Sequence, residues 1–207
     1  MAVISHSKKF IFIHNYKVAG TSLRAALTPY EPFYLRNKYS HYIKHKLFMR
    51  PHIKAHELRQ RIPKEIFNSY FKFGFVRNPW DWQVSLYEYM RQDKHHFQHE
   101  LACSFKDFKE YLKWRVHEDL HLQKEFFYAP DGEYLVNKIY KFEELSEAIA
   151  DLNKTLGLSM SLPHKNKSQR KDMSAYYDAE ASQMIEQAFA DDIKLFNYER
   201  PILRAAS

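Results

Sequence analysis

Four apolar residues, Phe10 to Ile13, run almost straight into the loop Asn15-Tyr16-Lys17-Val18-Ala19-Gly20-Thr21-Ser22, and a helical pattern through Leu23, Ala26 and Leu27 follows at once. That succession constrains the fold more than any other feature of the chain. A short apolar run without alternation suits a strand buried on both faces. Thr28-Pro29 stops the helix, because the residue before a proline is pushed away from helical geometry. Strand, glycine-bearing loop and helix together aim unpaired amides and a positive dipole end beyond the strand, where an anion is stabilised.

The pattern repeats along the chain. Tyr70 to Val76 reads as a second buried strand, with Arg77-Asn78-Pro79 as its turn and a helix starting near Pro79, a residue suited to a first helical turn. Trp80, Val84, Tyr87 and Arg91 share one face of it, with Leu86 and Met90 beside them. His56 to Arg61 forms a short helix ahead of Pro63. Phe105, Phe108 and Leu112 are helix-spaced and predict a helix over 104–117. Tyr134 to Phe142 reads as a third strand, and Glu143 to Leu156 as the helix after it. Asp178 caps a last long helix carrying Ala181, Met184, Ile185, Ala188 and Phe189. Strands alternating with helices predict an α/β fold of three layers, a largely parallel sheet flanked by helices. The 207 residues make one domain, 1–207, with one sizeable core.

Charge narrows the partners. Lysine and arginine number 32 against 25 aspartates and glutamates, a net +7 that favours an anionic partner: nucleic acid, a phosphorylated cofactor or an acidic glycan. One cysteine, Cys103, excludes an intramolecular disulfide and a cysteine-rich zinc site. No apolar run approaches the roughly 18–20 residues of a membrane span, and the apolar stretch near the N-terminus is too short for a signal-peptide core. The expectation is a soluble, cytoplasmic protein without stable membrane insertion.

The first loop is not a Walker A motif, because its lysine precedes its glycine in K-V-A-G-T-S. The physics is similar nonetheless. Gly20 lets backbone approach an anion, the amides from Gly20 to Leu23 open a helix, Thr21 and Ser22 supply hydroxyls, and Lys17 is a mobile charge beside them. A plain helix cap explains such a turn equally well when it stands alone. The second element adds Arg77 at the carboxyl end of a buried strand, where open α/β sheets bind ligands, and Ser85 eight residues later. An arginine fork with a hydroxyl can hold a second phosphate.

Strand-K-V-A-G-T-S-helix followed by F-V-R-N-P-W-D-W-Q-V-S resembles the core of the carbohydrate sulfotransferases that use 3′-phosphoadenosine 5′-phosphosulfate (PAPS). That family holds heparan sulfate 2-O-sulfotransferase, the chondroitin and HNK-1 enzymes and many bacterial relatives. The resemblance runs along nearly the whole chain, through K-F-E-E-L at 141–145, L-P-H-K-N-K-S-Q-R at 162–170 and D-I-K-L-F-N-Y-E at 192–199. It implies a P-loop nucleotide-kinase-like fold and PAPS as sulfuryl donor. Lys17, Ala19, Gly20, Thr21 and Ser22 would embrace the 5′-phosphosulfate, and Arg77 and Ser85 would bind the 3′-phosphate. Ser168, Arg170 and Lys171 would close over the nucleotide. Two positions depart from the family's habit: Asn15-Tyr16 stands where Ile-Pro is usual, and Trp82 where arginine is frequent.

Sulfuryl transfer needs a base for the attacking hydroxyl and a cation for the leaving phosphate, and no metal. Lys17 supplies the cation. The segment His52-Ile53-Lys54-Ala55-His56-Glu57-Leu58 matches the H-x-x-A-x-E-[IL] run of bacterial relatives, which makes His52 the expected base and His56 the second candidate. The acceptor would be a hydroxyl of a glycan or glycoconjugate. His117-Glu118-Asp119-Leu120-His121 satisfies the zinc-protease pattern H-E-x-x-H, but 12 histidines make a chance match easy and no third ligand is marked. A P-loop kinase or NTPase is the rival enzyme, weakened by the missing Gly-Lys-[ST] and by Arg77 standing where a magnesium-binding aspartate belongs. A basic nucleic-acid-binding protein is the rival of another class, and no recognition motif for nucleic acid supports it.

Overall fold

The computed structural model describes residues 2–32, 51–162 and 172–201. Its strands are β1 (Val3–Ser5), β2 (Phe10–Ile13), β3 (Phe71–Val76) and β4 (Lys138–Lys141). The helices among these residues are α1 (Gly20–Leu27), α2 (Ala55–Arg59), α3 (Lys64–Ser69), α4 (Pro79–Gln92), α5 (His99–Ser104), α6 (Phe108–His117), α7 (Leu145–Leu156), α8 (Ala179–Ala188) and α9 (Ala190–Leu195). Contacts gather these elements into two units, one of residues 1–76 and 123–165 and one of residues 77–122 and 166–207.

The first unit holds the whole sheet, in the order β1-β2-β3-β4. β2, β3 and β4 are parallel, with Phe12 opposite Phe73 and Phe75 opposite Tyr140, and β1 is antiparallel to β2. The fold is therefore α/β with a mostly parallel sheet flanked by helices. Side-chain alternation sends Phe10, Phe12, Phe73, Phe75 and Tyr140 to one face, against Leu23 and Leu27 of α1 and Ala148, Ile149 and Leu152 of α7. Burying each such phenylalanine stabilises the unit by about 1.5–3 kcal/mol. On the opposite face Gly74 is required by space, because a Cβ there would lie 2.2 Å from Cε1 of Phe127.

The second unit is helical. α4 buries Trp80, Trp82, Val84, Leu86, Tyr87 and Met90, so nearly its whole circumference is covered rather than one stripe. Trp80 is tied within the unit by two bonds: its indole donates to Ser182 Oγ at 2.9 Å and Tyr177 donates to its carbonyl at 2.8 Å.

Several elements differ from the sequence expectation for local reasons. β1 is three residues long, too short to show a period. β4 begins at Lys138 because Tyr134 instead forms an isolated antiparallel bridge with Tyr128. The helix expected over 104–117 starts at Phe108, where the Asp107 carboxylate accepts from the Glu110 amide at 2.9 Å and caps it. Asp178 caps α8 as expected, accepting from the Ala181 amide at 2.7 Å, and the last helix breaks at Phe189.

Candidate active site

The loop between β2 and α1 is held in an uncommon backbone shape. Lys17 and Ala19 take positive φ values of 61° and 57°, while Val18 between them is fully buried in the core. A left-handed conformation costs a residue with a Cβ roughly 1–2 kcal/mol, so core packing of Val18 offsets strain on either side. Ala19 is the N-cap of α1, and its carbonyl accepts from the Leu23 amide at 3.0 Å. Among the described residues no side chain caps this end, and the first turn carries no acidic residue. The opening amides and the hydroxyls of Thr21 and Ser22 thus stand at a helix end suited to an anion.

Two histidines lie beside this loop. The imidazole of His14 rests on Gly20, where a Cβ would fall 1.7 Å from its Nε2. Phe12 stacks on it at 5.7 Å, and the ring centroid of His52 is 4.7 Å away. Burial, with repulsion from His52 and Arg24, lowers the His14 pKa to about 2, so the ring is neutral. His52 places Nδ1 at 3.0 Å from the His14 carbonyl oxygen. A carbonyl only accepts, so Nδ1 carries the hydrogen and neutral His52 keeps its lone pair on Nε2. Crowding by protein lowers the His52 pKa despite the ring's exposed edge, and the bond to His14 opposes that shift in part.

Asn15 and Tyr16 each have partners in the fold. Asn15 is fully buried and donates to the Phe75 carbonyl at 3.3 Å and to Gln123 Oε1 at 3.1 Å, tying the ends of β2 and β3 to the segment at Gln123. Tyr16 packs edge-on against His52 at 5.7 Å and against Phe126 at 5.9 Å. His56, on α2, has a buried Nδ1 without a hydrogen-bond partner. Lys54, which begins that helix, pairs with Glu125 at 2.5 Å.

In the second unit Arg77 is buried with its Nε and Nη2 each 2.6 Å from Oδ2 of Asp81. Asp81 lies in the first turn of α4, and Ser85 follows one turn later, also buried. Asp81 and Ser85, four residues apart on α4, share one face, and the Asp81 carboxylate holds the guanidinium of Arg77, which precedes the helix. Trp82 is a core residue, edge-on to Phe189 at 6.1 Å. His117 ends α6, so the H-E-x-x-H residues do not share a continuous helix, and His121 instead pairs with Asp119 at 3.3 Å. Among the described residues no group of three or more histidine, cysteine or acidic side chains could hold a metal. Ser168, Arg170 and Lys171 lie outside the described residues.

Sequence reasoning singled out Lys17, Gly20 and His52 but missed His14 and Asp81. The signals were present: a histidine directly after a buried strand and beside a glycine loop, and a carboxylate four residues after an arginine.

An α/β protein whose parallel strand feeds a strained loop and an uncapped helix has the arrangement of an anion-binding protein. Residues 1–199 match the sulfotransferase family, and the chain belongs to it. It is accordingly a transferase of sulfuryl groups. A curated protein of Archaeoglobus fulgidus, itself described as uncharacterized, is 30% identical over 105 residues, which span 51% of this chain and 82% of its own. No solved structure matches the chain.

Proposed function

We propose that this protein transfers the sulfuryl group of PAPS to a hydroxyl of a glycan or glycoconjugate, as a single catalytic domain over 1–207 in the cytoplasm. The observation that carries the reading is the bond from His52 Nδ1 to the His14 carbonyl, 3.0 Å long, which leaves Nε2 as the proton acceptor beside the anion loop. Lys17 and the backbone and hydroxyls of residues 19–22 take the 5′-phosphosulfate, and Lys17 stabilises charge building on the leaving phosphate. Arg77 and Ser85 take the 3′-phosphate, with Ser168, Arg170 and Lys171 completing the nucleotide site. His52 removes the acceptor proton as the hydroxyl oxygen attacks sulfur in line. The S–O bond to the phosphate breaks, and adenosine 3′,5′-bisphosphate leaves. No metal takes part. His56, whose Nδ1 is buried without a hydrogen-bond partner, is the second candidate for the base.

The test is sulfur-35 transfer from labelled PAPS to a panel of neutral and acidic glycans, run in EDTA. Label in a glycan is the expected result. Phosphorylation of the same panel from ATP, with no sulfur incorporated, would favour the kinase reading.

A further inference from the structure

We infer that His14 is a positioning residue for His52, joining it to the glycine of the anion loop through a single imidazole ring. The inference rests on His52 being the base. Three contacts carry it. The His14 carbonyl accepts the Nδ1 hydrogen of His52 at 3.0 Å. The His14 ring forms one wall of the His52 ring, 4.7 Å away and inclined at 55°. The far edge of the His14 ring rests on Gly20, so close that one added methyl group would overlap it.

Each contact does separate work. His14 follows β2 directly, so its carbonyl has a position set by the sheet rather than by a loose loop. That fixed acceptor selects the tautomer of His52, which is the reverse of the one a histidine prefers free in water. The ring wall limits rotation of His52 about its side-chain bonds, with Tyr16 edge-on as a further neighbour. Phe12 stacks on His14 at 5.7 Å and keeps the wall in place. A neutral ring does this without setting a positive charge beside the base, and burial keeps His14 neutral. The glycine contact has a consequence of its own: the shape of the donor loop at Gly20 reaches the base through His14.

Nitrogen-15 spectra of the full chain labelled at histidine read the tautomer directly, with no need for acceptor or turnover. His52 of the wild type should carry its proton on Nδ1 above its titration, and His14 should show no titration down to about pH 4. His14→Ala keeps the carbonyl acceptor but removes the ring that restrains His52, so it should weaken that bond and shift His52 part of the way towards the tautomer average. Gly20→Ala should produce the same change by displacing the His14 ring, and should add nothing in the His14→Ala background, the signature of coupling through that ring. Thr21→Ala, next to Gly20, should leave the His52 signals unmoved. A wild-type His52 with its proton on Nε2 overturns the inference even where every variant misfolds. So does a Gly20→Ala shift that persists in full without His14. Intact coupling beside a His52→Ala enzyme of full rate would remove the base assignment alone and leave the link between Gly20 and His52 standing.

Discussion

Nε and Nη2 of Arg77 both reach one oxygen of Asp81, at 2.6 Å each, and the pair is largely buried. A guanidinium held by a carboxylate in this way has a fixed orientation, which suits recognition of a phosphate. Arg77→Ala should weaken adenosine 3′,5′-bisphosphate binding by about 1.5–3 kcal/mol and leave AMP binding nearly unchanged. Asp81→Asn should lose a smaller part of the same preference. Calorimetric titration of the three proteins with both nucleotides checks this, and an Arg77 variant that weakens for AMP as much as for the bisphosphate contradicts it.

Under the proposed mechanism Lys17 holds the donor and His52 activates the acceptor. Lys17 belongs to the strained loop at the donor, so Lys17→Ala should weaken nucleotide binding and slow transfer together. His52→Ala should bind nucleotide almost as the wild type does while its rate falls by roughly 10²–10⁴, the range for losing a general base. His56→Ala is the control and should stay near the wild-type rate. Single-turnover rates beside equilibrium titrations separate the two effects. A near-normal His52 variant beside an inactive His56 variant would move the role to His56.

The rate should depend on pH through His52. Desolvation by the surrounding protein lowers its pKa, so the neutral, proton-accepting form persists to lower pH than an ordinary histidine allows. The acid limb of kcat against pH should therefore have its midpoint below about 6.5, the unperturbed imidazole value. A midpoint above that value would contradict the environment described for His52.

His14 makes a separate prediction about stability. Its folded pKa of about 2 lies far below the ordinary 6.5, so between those values the unfolded chain binds a proton that the native state refuses. The contribution is complete above about pH 6.5 and is lost as pH falls below it, by at most about 1.4 kcal/mol per pH unit for one proton. Denaturant melts from pH 7 to 4 should show His14→Gln losing less stability on acidification than the wild type. Parallel curves for the two proteins would contradict a buried neutral His14.

Much of this was legible in the sequence because it depends on contiguous residues. The run Phe10 to Ile13, the loop through Gly20 and the helix after it are one local pattern, and the strand Phe71–Val76 with Pro79 opening α4 is another. What escaped depends on distant partners. β1 exists because Val3 to Ser5 pair with Phe10 to Phe12, a tertiary preference that three residues cannot announce. The break at Phe105 to Asp107 comes from a cap that interrupts an otherwise continuous apolar spacing. His14 reads as a strand-end residue until His52, 38 positions later, is brought against it. Asn15 looks like a polar intrusion until the Phe75 carbonyl and Gln123 supply its acceptors.

Whether this sulfotransferase takes its sulfuryl group from PAPS is tested most directly, and without knowledge of the acceptor, by a calorimetric titration of the wild-type chain. Adenosine 3′,5′-bisphosphate should bind at least about tenfold more tightly than AMP, a difference of about 1.4 kcal/mol, and ATP should gain no such advantage. Equal affinities for the bisphosphate and AMP, or tighter binding of ATP than of either, would contradict it.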